Sequence, residues 1–309
     1  MLGIVGSGAL GCLWAAQLYK QTEFCFVITE PYRQKHKLAL PYSSQSFAVL
    51  SKDVPPIKRE ILAPQLAPQQ AIKPDSTILI MTKSYDVDAA IDALLPFLGP
   101  DNIVVLFQNG MGSQQRACDL LGNTPCFAAV TTEGANKPSP HKLIHAGRGE
   151  TIIGPMNNAA QNTGQQHWFS ELAASELSIR YDDHIAKRLL IKLAINCAIN
   201  PFTAICSCRN GDVRKQVLFQ ATWLQLRSEL TSLLNHAGVT WTESELEESV
   251  FDVMTKTANN QSSMLQDIIN NKPTEIDDIN GFAYRYLQRH SLPFVANKSL
   301  SEQVHALRG

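Results

Sequence analysis

Short apolar runs and helix-period segments alternate through the first half of the chain. Leu2–Val5, Phe24–Ile28, Thr77–Met81, Ile103–Phe107 and Phe127–Val130 are continuous hydrophobic stretches. Runs of that length without alternation predict parallel strands buried on both faces. Helix patterns follow them at Ala9 to Lys20 and Val87 to Leu95, the latter stopped by Pro96. This order predicts an α/β domain with a doubly wound parallel sheet. Phe47–Leu50 reads as a further strand in the mixed stretch Pro41 to Gln70, and the Pro and Gln residues around Ala63 to Ala71 read as loop. His141 to Gly154 and Glu176 to Tyr181 look like strands extending the sheet, and Asn157 to Gln166 like a polar surface loop.

After Asp183 the pattern is almost wholly helical, so residues 1–181 form one predicted domain and 182–309 an all-helical second one. Gln220 to His236 is one helix pattern. Thr242-Glu243-Ser244-Glu245 is a capping box opening a long one that runs towards Asn271. Lys272-Pro273 breaks the chain, and Thr274 is placed to cap the next helix with Glu275 in its first turn.

Composition adds limits. The chain has 309 residues, 44% hydrophobic and 18% charged, with a net charge of -1. That balance fits a well-cored globular protein and offers no basic face for nucleic acid. No run of 18 apolar residues predicts a membrane span, and no basic segment precedes the first apolar run as a signal peptide would require. The expectation is a cytoplasmic protein. The seven cysteines are scattered; Cys206-Ser207-Cys208 is the one close pair and lacks a zinc-type partner pair, so free thiols and no metal are expected.

Two patterns carry chemistry. Gly6-Ser7-Gly8-Ala9-Leu10-Gly11 lies between a strand and a helix. Its glycines permit a tight turn, a close approach of a dinucleotide diphosphate to the backbone, and close helix–strand packing. Lys83 and Asn109 follow strands at the end where ligands bind in such sheets, though ordinary loop polarity also accounts for them. In the second half, Leu189 to Pro201 is apolar almost all round except for Lys192, Asn196 and Asn200, spaced four apart on one helical face. A solvent-facing stripe is one reading. The other is a buried helix whose polar line faces a wet cleft, where the lysine donates a proton and the amides hold a ligand. Pro201 is expected to end or kink that helix. Asn260, Ser263 and Asp267 share a face of the long helix, either as a solvated surface or as a binding stripe. Glu275 is explained by helix-end electrostatics or by a site.

With these residues in view, the chain resembles the ketopantoate reductase (2-dehydropantoate 2-reductase) family over nearly its whole length. The resemblance is carried by the Gly6–Gly11 turn, Gln108-Asn109-Gly110-Met111-Gly112, the Lys192–Cys197 and Asn200–Ala204 stretches, Asn260–Asp267, and Thr274–Asp277 with Asn280-Gly281. It implies a Rossmann-type domain followed by a helical one, with the active site between them. It implies Lys192 as general acid, Glu275 as its support, and Asn109 in contact with cofactor and substrate. It places Asn196, Asn200, Asn210, Asn260 and Ser263 at the substrate, and Lys83 and Ala135 at the cofactor. The implied activity is NADPH-dependent reduction of a small 2-oxo acid, ketopantoate, by a monomer or homodimer. The alternatives are another branched 2-oxo acid, or a dinucleotide-binding regulator without turnover.

The cofactor's identity is the point of conflict. Glu30 closes the second strand about 20 residues beyond the turn, where a carboxylate can bind the ribose 2′-hydroxyl of NAD(H). The family implies NADP(H), commonly with an arginine near that strand end. Whole-chain resemblance favours NADP(H), with Arg33 turning to the phosphate and Glu30 left to solvent; Glu30 keeps NAD(H) open.

Overall fold

The computed structural model describes residues 1–19, 21–36, 45–51, 58–165 and 167–307. The start of the mixed stretch at Pro41 and the helix end expected at Lys20 lie outside the described residues. The chain divides into two compact units: residues 1–108 with 113–185, and residues 109–112 with 186–309. The division thus falls at Ile185/Ala186, later than the Tyr181 boundary, and the short strip Asn109–Gly112 belongs to the second unit.

The first unit contains twelve strands and seven helices among its described residues. In chain order they are β1 (Leu2–Val5), α1 (Ala9–Leu18), β2 (Phe24–Val27), α2 (Glu30–His36), β3 (Gln45–Ser51), β4 (Lys58–Ala63), β5 (Gln65–Leu66), α3 (Pro68–Ala71), β6 (Thr77–Ile80), α4 (Val87–Leu94), β7 (Ile103–Leu106), α5 (Ser113–Leu121), β8 (Cys126–Thr131), β9 (Gly134–Ser139), β10 (Lys142–Gly147), β11 (Glu150–Pro155), α6 (Asn158–Thr163), α7 (His167–Ala173) and β12 (Ser178–Tyr181). The main sheet has the order β12-β11-β8-β7-β6-β1-β2-β5. Its pairs are parallel except β8 with β11. The central strands β1, β6, β7 and β8 are buried at every position, as their unbroken apolar runs require. Successive residues serve opposite faces: Leu2 and Ile4 join a core with Trp14 and Phe127, while Val5 joins another with Ile80 and Ile91.

Three expectations about the first unit are corrected. The segment from His141 does not all extend the main sheet: β10 lies in a second, four-stranded sheet of order β4-β3-β10-β9. Phe47, Ile61 and Leu143 of that sheet pack into the core beside α1. The stretch around Ala63 to Ala71 is not loop but β5 and α3, since Pro68 suits the first turn of a helix. Within the expected loop Asn157 to Gln166, α6 forms because the Asn157 side chain caps it, accepting from the Ala160 amide at 2.9 Å.

The second unit is helical: α8 (Ile185–Ile205), α9 (Val217–His236), α10 (Glu243–Lys256), α11 (Ser263–Ile269), α12 (Asn280–Arg289) and α13 (Val295–Ala306), with 3₁₀ turns at Asn210–Lys215 and Ile276–Asp278. By length and composition α8 could cross a membrane, but 67% of its most apolar window is buried inside the protein, as in a core helix. It does not end at Pro201 but continues to Ile205.

The expected long helix is two. α10 opens on the capping box: the Thr242 hydroxyl accepts from the Glu245 amide at 3.2 Å and the Glu245 carboxylate from the Thr242 amide at 2.7 Å. It stops at Lys256. The chain then folds against the 210–215 turn, where the Asn210 amide donates to the Asn260 carbonyl at 3.0 Å and the Gly211 amide to the Ala258 carbonyl at 3.2 Å. Ser262 restarts a helix by capping the Leu265 amide at 3.0 Å. Asn260 therefore lies in the break, not on one helical face with Ser263 and Asp267. Thr274 does not cap the next turn; Glu275 itself precedes Ile276–Asp278, and no side chain caps it.

Candidate active site

The polar stripe on α8 is set into an apolar helix. Leu193, Ala194, Cys197 and Ala198 are buried, Lys192 and Asn196 are half-buried, and Asn200 is buried. Burial pulls the Lys192 ammonium down to about 8, and the nearby Glu275 carboxylate opposes that fall. Glu275 is 5% exposed. Its Oε2 lies 3.5 Å from Nδ2 of Asn109, which donates to it.

That meeting of residues 109 and 275 is enforced by backbone. The Met111 amide donates to the Asp278 carbonyl at 2.8 Å. Gly110 has φ +78°, and a Cβ there would stand 2.2 Å from the same oxygen. Only glycine fits both the left-handed backbone and the approach. Lys192, Glu275 and Asn109 are thus brought together within the second unit: an ammonium, a buried carboxylate and an amide.

The other predicted substrate residues divide. The Thr203 hydroxyl donates to the Asn200 carbonyl at 2.7 Å and shares a 2.6 Å bond with Ser262, tying α8 to the start of α11. Ser263, the first residue of α11, is exposed, and Asn260 is half-buried. Asn210 is 9% exposed and turned inward, its Nδ2 donating to the Thr257 hydroxyl at 2.9 Å. Its place is a buttress under the Asn260 break.

In the first unit the glycine turn has the shape its spacing requires. Gly6 has φ +105°, and a Cβ at Gly11 would stand 2.0 Å from the Gly6 carbonyl oxygen. A Cβ at Gly8 would meet nothing within 4 Å, and no side chain caps the α1 N-terminus there. The open backbone and uncapped amides fit an incoming diphosphate. Ser7 Oγ lies 2.5 Å from Tyr32 Oη, and Lys137 Nζ donates to the Ser7 carbonyl at 2.7 Å. Lys83 follows β6 directly before the 3₁₀ turn Ser84–Asp86, and Ala135 lies on β9. Gln108 holds the ends of this region by donating to the carbonyls of Ile80 at 2.9 Å and Thr82 at 3.1 Å.

Glu30 and Arg33 depart from expectation. β2 ends at Val27, and Glu30 opens α2 rather than closing the strand. One helical turn apart, the two side chains meet: Arg33 Nε donates to Glu30 Oε2 at 2.7 Å and its other arm binds Oε1. Gln34 adds a bond at 2.9 Å. These donors hold the Glu30 carboxyl down at about 2. Glu30 is exposed, as expected, and Arg33 is paired with it in this structure.

Residues 2–158 match the ketopantoate reductase PanE/ApbA family, and residues 184–308 match its C-terminal region. The chain belongs to the ketopantoate reductase family. The 2-dehydropantoate 2-reductase of Vibrio cholerae serotype O1 is 30% identical over 308 residues, covering 98% of this chain and 96% of its own length. That of Yersinia pestis is 29% identical over 304 residues, covering 97% and 93%. A PanE/ApbA family ketopantoate reductase from Ralstonia eutropha superposes with a TM-score of 0.82 at 22% identity, covering 100% of this chain and 98% of its own. D-mandelate dehydrogenase with NADH and anilino(oxo)acetate gives 0.83 at 18% identity, covering 100% and 98%. At those identities the structures attest the fold. The family and its relatives make this chain a nicotinamide-dinucleotide-dependent oxidoreductase acting on a small molecule.

The two family matches span the glycine turn and the α8–Glu275 cluster respectively. Sequence reading passed over Tyr32 and Lys137 at the turn. Neither stands at a motif spacing; only their bonds to Ser7 single them out. All seven cysteines are free.

Proposed function

We propose that this ketopantoate reductase family member reduces 2-dehydropantoate to pantoate with NADPH, a step of pantothenate biosynthesis, with Lys192 as general acid. The observation that carries the reading is the half-buried Lys192 on an otherwise apolar helix, its ammonium brought down to about 8 beside the buried Glu275 carboxylate. A lysine so tuned is charged at neutral pH yet able to give up its proton.

The dihydronicotinamide supplies the hydride when bound. Lys192 Nζ stabilises the charge growing on the ketone oxygen and delivers the proton to it. Glu275 keeps that ammonium protonated between turnovers, and Asn109 orients Glu275 by its 3.5 Å bond. Asn196, Asn200, Asn260 and Ser263 offer N–H and O–H donors to the substrate carboxylate and hydroxyl. Asn210 supports Asn260. Gly6, Ser7, Gly8, Ala9, Leu10 and Gly11 receive the cofactor diphosphate, with Lys83, Asn109 and Ala135 along its length and the Glu30–Arg33 pair by the adenosine ribose.

A second reading is the reduction of another branched 2-oxo acid by the same residues. The test is loss of dihydronicotinamide absorbance with ketopantoate and a panel of branched and aryl 2-oxo acids. A kcat/KM highest for ketopantoate upholds the reading. A higher value for another oxo acid selects the second, and cofactor binding without turnover of any of them defeats both.

A further inference from the structure

The two pyridine dinucleotides differ by one phosphate on the adenosine ribose. A protein that prefers the phosphorylated form must offer that group hydrogen-bond donors with net positive charge. The place to look is between the glycine turn and the helix after β2, where the ribose of a bound dinucleotide lies.

The basic residues of α2 do not supply that charge. Arg33 holds Glu30 with both arms, so the pair is close to neutral. Lys35 binds both oxygens of Asp86, at 2.9 and 2.6 Å. His36 packs on the Tyr32 ring with centroids 4.2 Å apart. A phosphate arriving at the start of α2 would meet a carboxylate already stabilised in its charged form.

The glycine turn offers a different set. Lys137 reaches from β9 to the Ser7 carbonyl at 2.7 Å, and the Tyr32 hydroxyl reaches from α2 to Ser7 Oγ at 2.5 Å. The Ser7 carbonyl is neutral, and Lys137 also bonds the Cys12 thiol, so neither of these partners sets a carboxylate charge against the ammonium. Cys12, which also donates to the Ser7 carbonyl, is buried with its thiol pushed up, and adds no negative charge. One ammonium and two hydroxyls thus converge on residue 7. Tyr32 belongs to the helix that follows β2, which puts the group at the ribose end of the turn.

We infer that Lys137, with the Ser7 and Tyr32 hydroxyls, forms the seat for the cofactor's 2′-phosphate and sets the preference for NADP(H) over NAD(H) in place of Arg33. The inference rests on the proposed use of NADPH and names the residues responsible for it.

Calorimetric titration with 2′,5′-ADP, 5′-AMP and 5′-ADP tests this without turnover. The wild type binds 2′,5′-ADP more tightly than 5′-AMP. Lys137→Met weakens 2′,5′-ADP by about 10–100-fold, the scale of a charge-assisted hydrogen bond, and leaves 5′-AMP unchanged. Tyr32→Phe gives a smaller loss, Lys137→Arg keeps the preference, and Arg33→Ala leaves it in place. Thermal melts confirm that each variant is folded; were Lys137→Met unfolded, the Lys137→Arg, Tyr32→Phe and Arg33→Ala set decides by the same criteria. Retention of the preference in Lys137→Met overturns the inference. So does equal weakening of 2′,5′-ADP and 5′-ADP, which would assign Lys137 to the diphosphate, and so does loss of the preference in Arg33→Ala. A wild type indifferent to the 2′-phosphate defeats the NADPH reading itself, a result distinct from those three.

Discussion

The side-chain amide of Asn280 donates to the main-chain carbonyl of Cys197 at 3.2 Å. In an α-helix that carbonyl would accept from residue 201, but residue 201 is proline and has no N–H. Asn280 therefore replaces the hydrogen bond that Pro201 removes. The same Nδ2 donates to Asn297 Oδ1 at 3.1 Å, and Asn297 Nδ2 donates to Glu229 Oε2 at 2.9 Å. The Glu229 carboxylate also receives the Ala296 and Asn297 amides at the start of α13, at 2.7 and 2.9 Å. The helix carrying Lys192 is thereby fixed to α12 and α13 through a buried polar chain.

Asn280→Leu leaves the Cys197 carbonyl and Asn297 Oδ1 buried without that donor. Each orphan costs about 1–3 kcal/mol, so the urea midpoint should fall. Pro201→Ala restores an N–H to residue 201. Added to Asn280→Leu, it should recover part of the loss, giving a double-mutant cycle with clear coupling. Strictly additive effects would show that the proline and the asparagine are unrelated.

Lys192→Ala is expected to lower kcat by roughly 10²–10⁴-fold, the range for a positioned proton donor. Cofactor affinity should hardly change, because the glycine turn lies in the other unit. An unchanged single-turnover rate removes Lys192 from the chemistry.

The pH profile reports the same lysine. Under the proposed mechanism reduction needs the ammonium, so activity should fall as pH rises through about 8, where Lys192 loses its proton. Glu275 raises that value, so Glu275→Gln should move the falling limb to lower pH. A limb that stays put or moves up would mean that Glu275 does not set the charge of Lys192.

Asn260→Ala and Ser263→Ala should each raise KM for the oxo acid by about tenfold, with KM for the cofactor unaltered. That is the low end of a hydrogen bond to a carboxylate, about 1.5 kcal/mol. Wild-type kcat/KM in both variants would make that region solvated surface.

Much of the architecture was legible because it depends on local pattern. Continuous apolar runs marked β1, β6 and β7, and the spacing of glycines marked the turn. The four-residue period of Lys192, Asn196 and Asn200 marked the face of α8. What stayed hidden depends on partners far away in the chain. The break between α10 and α11 was masked by the helical spacing of Asn260, Ser263 and Asp267, although asparagine is a poor helix former; the Asn210 and Gly211 amides hold the chain out of helix there. Asn109 and Glu275 lie 166 residues apart, and no period links them. Lys137 is one lysine in a polar strand until its bond to Ser7 is seen.

The strip Asn109–Gly112 belongs to the second unit, while the chain on either side of it belongs to the first. The second unit is therefore not a contiguous stretch of gene. A fragment beginning at Ala186 would lack Asn109 and the Met111 amide that engages Asp278, however well its helices formed. Exchange of everything beyond residue 185 between two relatives would seat the donor's Asp278 against the recipient's Gly110. A crossover at that point therefore keeps this junction only where the recipient carries a glycine at 110, since the Met111 contact is made by backbone alone.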